Sequence, residues 1–171
     1  VIVPAPYWVS YVEMVKLAEG TNVIVTAGID QDFKITPAQL EAAITPKTKA
    51  FILCSPSNPT GSVYTKEELK GLADVLAKYP NVIVLADEIY EKLCYNGVKP
   101  FSIAKCSEKM KELTITVNGV SKTYAMTGWR LGYLCAPAPL LKEMLKLHQY
   151  AIMCAPTVSQ FAATEAMVNG D

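Results

Sequence analysis

Apolar and polar positions along the chain switch repeatedly between a period near two and a period near 3.6, as a series of strand-to-helix steps requires. Residues 1–4 read as a buried strand. Residues 10–19 carry apolar side chains at helical spacing, with Gly20 as the expected C-terminal stop. Residues 22–26 are β-branched, and Thr36-Pro37 reads as an N-cap followed by proline at the first helical position, opening a helix to about Ile44. Residues 49–54 form the next strand and run into the proline-rich loop Ser55-Pro56-Ser57-Asn58-Pro59-Thr60-Gly61. Thr65-Lys66-Glu67-Glu68 is a capping box, and Leu69, Leu72, Ala73 and Leu76 make one apolar stripe on the helix behind it.

Residues 82–86 are a near-continuous apolar run, which predicts a strand covered on both faces and ending at Asp87-Glu88. Residues 113–117 and 131–136 are further strands, and the chain from Pro137 on is mainly helical. The pattern predicts an α/β fold of three layers, a mostly parallel sheet with helices on both faces, whose ligand site lies beyond the carboxyl ends of the strands.

Composition narrows the function. The chain has 171 residues, 51% hydrophobic and 19% charged, enough for one core. Sixteen basic side chains balance sixteen acidic ones, so the footprint needed to neutralise nucleic acid or an anionic membrane is lacking, and neither partner is expected. No apolar run reaches the length of a membrane span, and no signal-peptide pattern opens the chain. Cys54, Cys94, Cys106, Cys135 and Cys154 are irregularly spaced without a C-x-x-C pair, which predicts buried free thiols in a reducing, cytoplasmic compartment. The sequence opens inside a strand pattern and closes inside a helix pattern at Asn169-Gly170-Asp171, so residues 1–171 are expected to be part of a larger domain, truncated at both ends.

The chemistry begins with a count. Fifteen of the sixteen basic residues are lysine, and the one arginine, Arg130, stands eight positions after Lys122. A planar guanidinium suits bidentate binding of phosphate or carboxylate, the alternative being an ordinary surface ion pair. Asp87, at the end of an apolar strand, is partly desolvated and calls for a cation, unless it serves as a cap or edge carboxylate. The single histidine, His148, sits in a helix without a second ligand nearby and reads as solvated.

Four motifs, Pro4-Ala5-Pro6-Tyr7-Trp8, Ser57-Asn58-Pro59-Thr60-Gly61, Asp87-Glu88-Ile89-Tyr90 and Gly119-Val120-Ser121-Lys122 through Gly128-Trp129-Arg130, together resemble the class I aminotransferases in order and spacing. The resemblance covers essentially the whole chain and implies the large, pyridoxal 5′-phosphate-binding domain of that family. It makes Lys122 the Schiff-base lysine, which later moves the substrate proton and must be neutral to do so, a state that burial and a nearby cation favour. Asp87 resembles the partner of the protonated pyridine nitrogen, which keeps the ring an electron sink. Tyr90 and Asn58 resemble the donors to the cofactor's ring oxygen, and Trp8 the aromatic stacked on the ring. Arg130 resembles the phosphate clamp, with Ser121 adding a hydroxyl. Cis peptides are expected before Pro6 and Pro59. One departure stands out, Gly119, where many relatives have a serine, so one phosphate contact is expected to be missing or made by backbone.

The resemblance further implies a homodimer with the site at the subunit boundary, and an amino acid and a 2-oxo acid as substrates, aspartate or a related amino acid being favoured. The family's glycine-containing phosphate loop and the arginine for the substrate carboxylate fall outside these residues, so the isolated chain is expected to be inactive or nearly so. The alternatives are a lyase or synthase using the same cofactor residues and a non-catalytic, aminotransferase-like sensor domain. A nucleotide-binding doubly wound domain is disfavoured by the absence of G-x-G-x-x-G and G-x-x-x-x-G-K-[ST].

Overall fold

Strand β1 (Ile2–Ala5) puts Ile2 into the core on one side of a sheet and Val3 into a smaller core on the other, as the period of a strand demands. It is the second strand from one edge of the sheet in the computed structural model, which describes residues 1–170. The six strands run in the order β2 (Val23–Thr26), β1, β3 (Ala50–Cys54), β4 (Ile83–Asp87), β5 (Thr114–Gly119) and β6 (Gly132–Cys135). The first five are parallel, and β6 pairs antiparallel with β5. Parallel neighbours need long crossovers, and helices supply most of them.

On one face pack α2 (Pro37–Ala43), α3 (Lys66–Leu76) and α4 (Glu108–Leu113), which contribute Leu40, the stripe Leu69, Leu72, Ala73 and Leu76, and Met110 to the larger core. Both predicted N-termini form as capping boxes, Thr36 with Gln39 and Thr65 with Glu68. The other face carries α1 (Ser10–Leu17), whose Tyr11 and Val15 meet Val3 and Ile52. The chain then adds a one-turn helix, α5 (Val120–Thr123), and ends with α6 (Ala138–Ala151) and α7 (Thr157–Asn169).

Four expectations change in detail. Strand β4 is not covered equally on its two faces: Val84 and Ala86 are buried while Ile83 and Leu85 are only half-buried, because α1 packs mainly over β1 and β3. Helix α1 ends at Leu17, two residues short of the expected Glu19. Glu19 takes the left-handed conformation, its N–H bonding to Lys16 and that of Gly20 to Val15, the bond pattern of a Schellman motif. The five cysteines are free, but none is fully buried, and Cys135 and Cys154 are exposed. Cys54 and Cys135 end strands β3 and β6, and the other three lie in connecting segments. The peptide bonds before Pro6 and Pro59 are cis as expected, and so is the one before Pro56. No helix among the described residues is long and apolar enough to cross a membrane.

Candidate active site

The carboxyl ends of four neighbouring strands deliver the residues singled out by the sequence. Trp8 follows β1, Asn58 follows β3, Asp87 ends β4 with Tyr90 three residues on, and Ser121 and Lys122 follow β5 on α5. Such an edge is where open α/β sheets bind ligands.

Two groups of contacts form there. In the first, Tyr11 Oη donates to Asp87 Oδ2 at 2.5 Å, and the Ile89 N–H donates to Oδ1 at 3.2 Å. The carboxylate is therefore held by both oxygens, with no ion pair among the described residues. Trp8 meets the Tyr11 ring edge to face, centroids 5.5 Å apart, and is itself partly exposed. Burial, together with the neighbouring Cys54 thiol and the Asp87 carboxylate, pushes the Tyr11 phenol far up from its ordinary value, so it stays a donor throughout the neutral range. Cys54 lies opposite Asp87 in the β3–β4 register, and its thiol is likewise raised, first by burial.

The second group centres on Tyr90. Asn58 Nδ2 donates to Tyr90 Oη at 3.4 Å, which leaves the phenol's own proton free for a third group. Lys122 Nζ sits over the Tyr90 ring, 5.8 Å from its centroid. Lys122 is exposed, so this chain does not supply the burial that a neutral lysine would call for. Its ammonium makes no ion pair among the described residues.

Arg130 is attached to this group through the backbone. The Thr127 hydroxyl donates to the Ser121 carbonyl at 3.2 Å, and Arg130 Nη1 donates to the Thr127 carbonyl at 3.1 Å. Arg130 has a left-handed φ of 51° at the end of the 127–129 turn and is exposed, with no carboxylate partner among the described residues. His148 is exposed on α6, away from these strand ends.

Gly119 has a physical reason to lack a side chain. It pairs with Gly132 across β5 and β6, and a Cβ added to it would lie 3.1 Å from Gly132 Cα, 3.1 Å from the Leu131 carbonyl oxygen and 3.2 Å from Ile89 Cδ1. Gly119→Ser is expected to cost about 1–3 kcal/mol of stability, as other forced overpacking does. A urea midpoint equal to that of the unsubstituted chain would show that the strand pair can open without penalty.

Tyr11 was not legible as a site residue in the sequence, where it is one member of a helical stripe. The available signal was that a phenol on a buried stripe needs a partner for its hydroxyl. Glu88, next to Asp87, is also partly desolvated. Burial pushes its carboxyl up, against the opposing effect of a hydrogen bond with Ser102.

Comparison with known proteins bears on the whole arrangement. The chain matches the family described as aminotransferase class I and II over residues 1–171. It is 53% identical over 166 residues to an aspartate aminotransferase of Bacillus sp. (strain YM-2), covering 97% of this chain and 42% of that protein. It is 47% identical over 171 residues to an aspartate/prephenate aminotransferase of Nitrosomonas europaea, covering 100% of this chain and 43% of the relative. The crystal structure of the aspartate aminotransferase from Rhizobium meliloti superposes with a TM-score of 0.95 at 42% identity, over 99% of this chain and 42% of its own. The chain therefore spans about 42% of the length of such relatives. Family match, identity and superposition agree with the order of the four motifs, and the chain belongs to the class I and II aminotransferase family.

Proposed function

We propose that a protein carrying this chain transfers an amino group between an amino acid, aspartate or a close relative, and a 2-oxo acid, using pyridoxal 5′-phosphate held at the strand ends. The observation that carries this reading is the convergence of Asn58 and Lys122 on Tyr90, beside an aspartate already fixed by two donors. When bound, the cofactor supplies an aldehyde that condenses with amines and a cationic ring that draws electrons.

The donor set suits that group. Asp87 offers an anion for the pyridine N–H. Asn58 and Tyr90 offer two protons for the ring oxygen, and the indole of Trp8 offers a face for the ring. Arg130 and the Ser121 hydroxyl are left for the phosphate, since the Gly119 N–H is already donated to Asn118 Oδ1 at 2.7 Å. Lys122 Nζ is the attachment amine and afterwards takes and returns the proton on the α-carbon of the amino acid. That role requires a neutral amine. Since this chain leaves Lys122 exposed, the enclosing groups come from the rest of the protein and from the partner in a homodimer. The same reading places the protein in the cytoplasm, without nucleic-acid or membrane partners, and takes residues 1–171 as part of the large cofactor-binding domain.

The test is to mix the chain with pyridoxal 5′-phosphate, reduce with borohydride and map the modified lysine by mass spectrometry. Label on Lys122 alone is expected. Label spread evenly over the fifteen lysines would remove Lys122 from the proposal. Assayed with aspartate and 2-oxoglutarate, the 171-residue chain by itself is expected to show little or no turnover.

A further inference from the structure

The loop that carries Asn58 is held from behind by a segment without a role in the reading above. Residues 28–34 make a tight turn in which Asp32 and Phe33, neither of them glycine, both adopt a left-handed backbone, with φ of 51° and 56°. Two such residues in succession are costly and keep their shape only where the surroundings fix them.

Lys34 does the fixing. Its side chain is only 13% exposed, and its Nζ lies 2.9 Å from Glu68 Oε1 and 3.1 Å from Asp32 Oδ2. It also donates to the Val63 carbonyl at 3.4 Å. Asp32 in turn accepts from the Ser62 hydroxyl at 3.3 Å. Ser62 closes the Asn58 loop, its carbonyl accepting from the Ser57 N–H at 3.0 Å, while the Gly61 N–H bonds the Ser57 carbonyl at 2.8 Å. Glu68 accepts from the Thr65 N–H at 2.7 Å, so the same ammonium also grips the start of α3. Burial by itself pushes the Lys34 ammonium down, but its bonds to Glu68 and Asp32 outweigh that and the pKa is raised. Phe33 and Lys34 form one wall of a cavity whose other walls include Tyr7, Tyr11, Asn58 and Ser62.

We propose that Lys34 is a positioning residue: its ammonium clamps the 57–62 loop through Asp32, Ser62 and Val63, and thereby sets the aim of the Asn58 amide. The inference rests on the reading of Asn58 as a donor to the cofactor's ring oxygen. An amide donor draws charge from that oxygen and weakens the oxygen's hold on a neighbouring nitrogen-bound proton. Loosening the donor must therefore move the pH midpoint of the bound cofactor's absorbance change upward.

The experiment titrates that absorbance in the holoenzyme for N58A, K34M, K34R and the double variant N58A/K34M. K78M serves as a control, since Lys78 makes an exposed ion pair with Glu41 at 2.9 Å and touches nothing in the site. N58A is expected to raise the midpoint by roughly one pH unit and K34M by roughly half a unit, in keeping with loss and weakening of one hydrogen bond. K34R should restore most of the shift, the double variant should go no further than N58A, and K78M should leave the midpoint alone. If K34M fails to fold, K34Q, which keeps the stem and a donor without the charge, makes the same comparison. An unmoved midpoint in K34M or K34Q beside a shifted N58A would overturn the role of Lys34 only. An unmoved midpoint in N58A would overturn the reading of Asn58, and the inference with it.

Discussion

Lys122→Ala is expected to lower transamination in the whole enzyme by at least about 10⁴-fold, the upper end of the range for losing a positioned proton carrier, while leaving the fold intact. The structure makes the two effects separable. Lys122 is exposed, and among the described residues its Nζ contacts the Tyr90 ring, 5.8 Å from the centroid, an interaction of about 0.5–1 kcal/mol at an exposed site. Urea unfolding of the Lys122→Ala chain should therefore agree with the unsubstituted chain to within about 1 kcal/mol. Lys122→Arg is expected to be as inactive as the alanine variant, since a guanidinium stays protonated and can neither attach the cofactor nor accept a proton. Retention of even a tenth of the rate by either variant would mean that another amine does the work.

The helices and strands follow from patterns that depend on neighbours in sequence, whereas the order of the strands in the sheet, set by pairings distant in sequence, does not. Capping boxes at Thr36 and Thr65, proline at position 37 and the Leu69–Leu76 stripe are local, and local rules predict them. The candidate site residues stood out for a different reason: they are carried by four short motifs in fixed order, and the likeness of those motifs to a family suggested roles that periodicity alone could not. What escaped depends on contacts distant in sequence. Tyr11 and Asp87 are separated by 76 positions, and Lys34 and Glu68 by 34, so nothing in either local pattern announces a partner. The uneven cover of β4 escaped for the same reason. An apolar run tells that a strand avoids water, not which helices will cover each face or how far they reach. The cysteines show the opposite error, since apolar neighbours in sequence did not bury Cys135, whose strand is the outermost in the sheet.

Asp87→Asn is the second large effect expected, a fall of roughly 10²–10³-fold in kcat, comparable with removing one fixed electrostatic partner from a reacting centre. The substitution is nearly isosteric, and its new amide can be accommodated. The side-chain oxygen remains for the Ile89 N–H, and the NH₂ group turns toward Tyr11, whose oxygen can accept as well as donate. What is lost is the negative charge, and with it, on the proposed reading of Asp87, the reason for the cofactor ring to stay cationic. Tyr11→Phe acts on the same carboxylate from the other side. It keeps the charge and removes the 2.5 Å donor, so it is expected to cost about tenfold, the equivalent of one hydrogen bond to a charged group. Because Tyr11 works through Asp87, the two losses must not add: Asp87→Asn/Tyr11→Phe should be about as slow as Asp87→Asn alone. Measured kcat values for the four proteins close the cycle. Additive losses would separate Tyr11 from the site and return it to the apolar stripe of α1, where a phenylalanine would serve as well.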